Sequence, residues 1–207
     1  MSATNERAIS RKEAIWLACR QKTCCSARLV TLTGRDVWRI ARSMNVVPWS
    51  FLVYFESEPA PDAFALDHSG RRYRLALNKR PSRRTKTPWP CLFLLSTRDG
   101  HHLCGLGELR PQSCKAFPSE PVDGVLCLAG GCSCRTWALA DVDIEEEAAA
   151  VRDREEELAD YAEVVVGWNA AVAAAPEGVS LDLADYCRYL LEVYDAVETA
   201  DPARVRS

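Results

Sequence analysis

Ten cysteines in 207 residues are the part of this chain most able to do chemistry, and they are grouped rather than scattered. Cys19, Cys24 and Cys25 fall in one short stretch, C-R-Q-K-T-C-C. Cys91 and Cys104 flank the turn signal Asp99-Gly100, Cys114 sits in R-P-Q-S-C-K-A-F-P, and Cys132 and Cys134 close a glycine turn. Thiolates are soft ligands that select zinc, Cu(I) or iron–sulfur clusters, and an all-sulfur tetrahedral site suits zinc or iron without any nitrogen donor. These eight residues are enough for two four-coordinate sites, or for one site with spares. Neighbours such as Cys24 and Cys25 point different ways in an extended chain, so they serve different metals or one of them is packed.

The competing reading is that several are simply packed, because free cysteine is among the most buried residue types. It is adopted for Cys187, which lies in the apolar stripe of a C-terminal helix, while Cys127, between Leu126 and Leu128, is left open. His101 and His102 are read as solvated turn residues beside Cys104. Arg110 either donates to a thiolate or pairs with a carboxylate. The spacing C-x4-C-C lacks the C-x2-C knuckle of zinc ribbons and fingers, so it points to metal more firmly than to any one metal. The Walker, dinucleotide, zincin and hydrolase-elbow motifs are all absent.

The elements that position these residues can be read from capping and periodicity. Ser10 and Glu13 form a capping-box pattern, so a short helix from about residue 11 delivers Cys19 at or just past its end. R-L-V-T-L reads as a strand, and Thr33 caps a helix with Val37, Ile40, Ala41 and Met44 on one face. P-W-S-F-L-V-Y-F-E is expected to be another short helix, with Pro48 in its first turn. D-A-F-A-L-D and R-R-Y-R-L-A-L-N read as a hairpin, and a second hairpin turns at Asp99-Gly100. Pro111 and Pro118 bracket one helical turn around Cys114, and V-D-G-V-L-C-L continues as a strand. From about residue 143 helical periodicity runs through Val151, Leu158, Tyr161, Val165, Trp168 and Val172. After the break at P-E-G-V-S it resumes through Leu183, Cys187, Leu190, Tyr194 and Val197, which suggests an antiparallel two-helix hairpin.

C-R-Q-K-T-C-C before L-T-G-R-D-V-W-R-I-A, then C-L-F-L, then R-P-Q-S-C-K-A-F-P with its cysteine ten residues after Cys104, resembles the YkgJ-type cysteine-cluster family. Those are zinc- or iron-chelating proteins with a CxxCxxCC signature. The resemblance spans about residues 19–134, and the chain departs from the signature by placing four residues between Cys19 and Cys24. By position it implies ligands at Cys19, Cys24, Cys25, Cys91, Cys104 and Cys114, with Cys132 and Cys134 as the distal pair. The family is similar to flagellin lysine methylases with an iron–sulfur centre, so redox or methyl-transfer chemistry is implied by resemblance alone.

The formal net charge of -3 hides a basic stretch, residues 71–86, with eight basic and no acidic side chains. Residues 141–163 hold eleven acids and two arginines. The basic stretch reads first as a solvated hairpin face balanced by the acidic helix, and second as a nucleic-acid surface with Tyr73 and Trp89 for stacking. The N-terminus has no apolar signal core and no run reaches the roughly 20 apolar residues of a span, so a cytoplasmic protein without a membrane partner is expected. The expectation is an α+β protein: a metal-stabilised cysteine-cluster domain over 10–140, in which metal replaces part of a core, and a helical hairpin over 141–200 packed on it.

Overall fold

The computed structural model describes residues 10–19, 23–26, 28–81, 89–99, 102–129, 137–176 and 178–200. Helix α1, Arg11–Ala18, begins where the Ser10 hydroxyl accepts the Glu13 N–H, and it ends at Cys19, whose N–H donates to Ile15. Helix α2 is a single turn, Thr23–Ser26. Helix α3, Gly34–Met44, starts in a complete capping box between Thr33 and Asp36 and ends at Asn45 in the left-handed region, φ 52°. Val37, Ile40 and Ala41 are buried as the periodicity requires, while Met44 runs out into solvent at 40% exposure.

The next segment corrects the expected helix. Pro48–Ser50 makes only a 3-10 turn, and Leu52–Ser57 is strand β1. Its run of aromatic and β-branched residues favours the pleated surface it occupies. Strand β2, Arg72–Leu77, pairs antiparallel with β1 from Leu52↔Leu77 to Ser57↔Arg72. The expected partner, residues 62–67, contributes only a bridge between Phe64 and Tyr73. The stretch 28–32 likewise makes one bridge, Thr31↔Ala76, with backbone bonds from Leu77 to Val30 and from Leu32 to Leu75. That cover explains why Leu75, Ala76 and Leu77 are buried in succession rather than alternately.

Strands β3, Leu94–Ser96, and β4, His102–Cys104, form the second expected hairpin. Helix α4, Gln112–Ala116, is the expected single turn. Strands β5, Ser119–Val122, and β6, Val125–Leu128, form a third hairpin whose first strand was hidden by Pro121 and Glu120. Helix α5, Ile144–Ala174, is capped by the Asp143 carboxylate, and α6 is Leu183–Ala200. The architecture is mixed helix and sheet, with three two-stranded antiparallel sheets among the described residues.

One hydrophobic core joins α3, the β1–β2 pair, α5 and α6: Val37, Ile40, Phe51, Leu75 and Leu77 meet Tyr161, Trp168, Tyr186 and Leu190. Phe64 stacks on Tyr186 at 4.0 Å, and Asn169 pins the 63–65 segment through bonds to Ala65 N and Ala63 O. The acidic helix does not balance the basic hairpin among the described residues. Glu147 is buried against Lys12 at 2.7 Å, Glu157 is buried with Arg39 and Thr33, and Arg74 pairs instead with Asp62. No helix among the described residues is long and apolar enough to cross a membrane.

Candidate metal centre

Four separate segments bring Cys24, Cys25, Cys91, Cys104 and Cys114 to the wall of one cavity of about 70 Å³. Cys24 and Cys25 come from α2, which is too short to hold itself. The Lys79 ammonium holds it, donating to Ser26 O at 2.9 Å and Arg28 O at 2.6 Å, with Cys25 O at 3.5 Å. A cation suits the C-terminal carbonyls of a helical turn, which have no partner of their own. The Cys91 N–H donates to Cys25 O at 2.6 Å, which ties the start of the β3–β4 segment to that turn. Cys104 stands opposite Leu94 in the β3–β4 ladder.

Cys114 rides on α4, which is fastened to the core at two points. Gln112 N donates to Asp36 Oδ1 at 3.2 Å, and the Ser113 hydroxyl donates to Thr31 O at 2.7 Å. Asp36 therefore caps α3 and anchors the helix bearing a cysteine.

The thiols sense one another. The Cys24 and Cys25 sulfurs are 3.8 Å apart, and this contact, then burial, then Cys114 and Cys91, push the Cys25 thiol well up. Burial raises Cys114, followed by Cys104 and Cys91, and burial raises Cys91. Each is a neutral thiol until a positive centre compensates it, and a metal does so by displacing the proton. Lys79 faces the same group: burial lowers its pKa while Cys91, Cys25, Cys114 and Cys24 raise it. The donor set fits a soft cation in type and number. Among the described residues, no three histidine, cysteine or carboxylate side chains are arranged to hold a metal ion as they stand.

The other expected ligands divide. Cys19 is buried at the end of α1 and is not part of the cavity wall. Cys132 and Cys134 lie outside the described residues, as do His101, Arg83 and Arg84. Cys127 is half-buried on β6 away from the cavity, and Cys187 is fully buried in α6, where burial pushes its thiol up to about 12. His102 meets Ser96 rather than a cysteine.

Among the described residues of the basic stretch, Lys79 supports α2, Arg74 pairs with Asp62 and Arg80 donates to Leu92 O and Leu94 O, while Arg71 is exposed. Tyr73 is buried at 8% exposure and Trp89 is 44% exposed. Lys79, Arg28, Trp16 and Phe93 were missed at the sequence level, since they carry no motif and matter only through where the chain folds them. Arg110 lines the cavity that the thiols share, with its Nε donating to Gly107 O at 3.1 Å.

Comparison of the chain with family models, curated proteins and solved structures finds no match.

Proposed function

We propose that this is a metal-binding protein whose thiolates at Cys24, Cys25, Cys91, Cys104 and Cys114 take zinc or iron, an iron–sulfur cluster included. The observation that carries the reading is convergence: five of the cysteines expected as ligands come from four segments spread over 91 positions of sequence, 24 to 114, and line one cavity. Packing of small hydrophobes does not require that, and the resemblance to the cysteine-cluster family points the same way. A bound metal would cross-link these segments and, as iron, would add redox chemistry.

The test is anaerobic purification with zinc, iron and acid-labile sulfide measured per chain, on the native protein and on Cys91→Ser, Cys114→Ser and Cys187→Ala. Metal near one or two equivalents is expected, lost in the two serine variants and retained in Cys187→Ala. Metal-free native protein, or occupancy equal in all four, would overturn the proposal. Colourless zinc protein directs the search to partners, and iron with matching sulfide makes redox or methyl-transfer chemistry the question to pursue.

A further inference from the structure

The wall of the thiol cavity is sorted by charge. Among the described residues Lys12, Arg28 and Arg110 line it and no carboxylate does, in a chain with 29 acidic residues. Lys12 is already neutralised by Glu147 at 2.7 Å. Arg28 lies 4.3 Å above the Phe117 ring, and Arg110 is tethered through Nε to Gly107 O. Neither guanidinium meets a carboxylate among the described residues. Both side chains are half-buried. A half-buried guanidinium presents a planar fork of donors that matches a carboxylate.

Of the charged side chains on the wall Lys12 is offset by Glu147, which leaves the two guanidinium groups of Arg28 and Arg110 to face an anion. The remaining wall is largely apolar, with Trp16, Phe93, Leu106, Phe117 and Trp137, and the cavity volume of about 70 Å³ equals roughly five waters. Bare phosphate or sulfate would waste that surface.

We infer that the cavity binds a small organic monocarboxylate, its carboxylate on Arg28 and Arg110 and its short apolar body along the aromatic wall beside the thiols. The ligand class is set by the cavity's size, by the two guanidinium groups and by the apolar wall, which asks for a body of a few carbons.

The experiment titrates full-length, metal-assayed protein with butyrate and with its neutral isostere butyramide, followed by tryptophan fluorescence and ligand-observed NMR. Butyrate is expected to bind at least about tenfold tighter than butyramide. Arg28→Gln and Arg110→Gln should each weaken butyrate by about tenfold without affecting butyramide, the loss of a charge-assisted bond. Arg110→Lys, which keeps the charge, controls for folding, as does the circular dichroism of every variant. Equal affinity for the two probes, or butyrate affinity unchanged in both glutamine variants, overturns the inference. Butyrate binding through the arginines to a chain without metal removes the metal reading and leaves the arginine site standing. Full metal occupancy with no preference for butyrate does the reverse.

Discussion

Lys79 is the residue on which the thiol group hangs, and replacing it with methionine tests that directly. The methionine keeps the stem's packing and removes the ammonium, leaving Ser26 O and Arg28 O without their 2.9 and 2.6 Å donors and Cys25 O without its weaker 3.5 Å contact. Hydrogen bonds from a charged donor contribute about 1.5–3 kcal/mol each and do not add fully, so a loss of about 3 kcal/mol is expected. In a chain of this size 1 kcal/mol shifts Tm by roughly 2–4 °C, so Lys79→Met should melt about 6–12 °C lower. The change is local as well as global, because α2 is one turn and has no stability of its own. In metal-free protein, Cys24 and Cys25 should therefore react with a thiol reagent several-fold faster, while Cys187, buried in α6, should not. Mass mapping of the labelled peptides separates the two. A melting point within about 2 °C of the native protein together with unchanged labelling of Cys24 and Cys25 would refute the reasoning.

Two further outcomes follow from the packing around α3. A methyl group at Gly34 would stand 2.6 Å from Tyr194 Cε2 and 3.0 Å from Leu190 Cδ2 and Tyr161 Cδ2, so Gly34→Ala should cost about 1–3 kcal/mol by overpacking despite its better helix propensity. An alanine variant at least as stable in urea as the native chain would show that α3 and α6 do not meet as closely as described. Burial, then Glu157, pushes the Asp36 carboxyl up to about 6, against the pull of Arg39 and two backbone N–H groups. A carboxyl whose folded pKa lies above its unfolded one holds its proton more tightly in the native state. Its penalty is therefore fully present above pH 6 and is relieved as pH falls towards 4, a change of roughly 3 kcal/mol at most. Asp36→Asn should abolish that pH dependence, while losing one of the bonds that the carboxylate oxygens accept from Thr33, Gln112 and Arg39. Urea titrations from pH 4 to 8 check it, and a variant that keeps the native slope would sink the assignment.

What was legible in the sequence is what local chemistry determines. Ser10 and Thr33 cap helices through side-chain bonds, and Pro111 and Pro118 bracket α4 as written. The cysteines were legible as a group because soft donors beside turns have few other reasons to cluster. Pairing was less legible. The 62–67 segment carries the alternation of a strand, yet β1 pairs with β2 and the segment makes only one bridge, because Ala63, Phe64, Ala65 and Leu66 are all buried in succession rather than on one face. The charge blocks misled for a related reason. Glu147 and Glu157 look like members of a solvated acidic face, but α5 turns both inward against Lys12 and Arg39, residues more than 100 positions away. Lys79 looked like one charge in a basic run, and only the fold brings three carbonyls to it.

The relation between the core and the thiols bears on what a metal would do here. Small metal-dependent domains fold on their metal because they have too little apolar surface to close without it. Here Cys91 is itself a member of a continuous core that reaches from Val30 to Tyr194, and Cys25, Cys104 and Cys114 pack against its edge. The thiols form a rim on a core that already joins α3, the β1–β2 pair, α5 and α6. A metal at that rim would act as a clamp on the ends of four segments whose other ends the core already holds. Its removal should loosen α2, the β3–β4 hairpin and α4 and leave α5 and α6 helical, which differs from the collapse of a domain that uses metal in place of a core. A metal site that the core does not need for folding would be free to keep an open side, and the aromatic and arginine wall is what the cavity presents there.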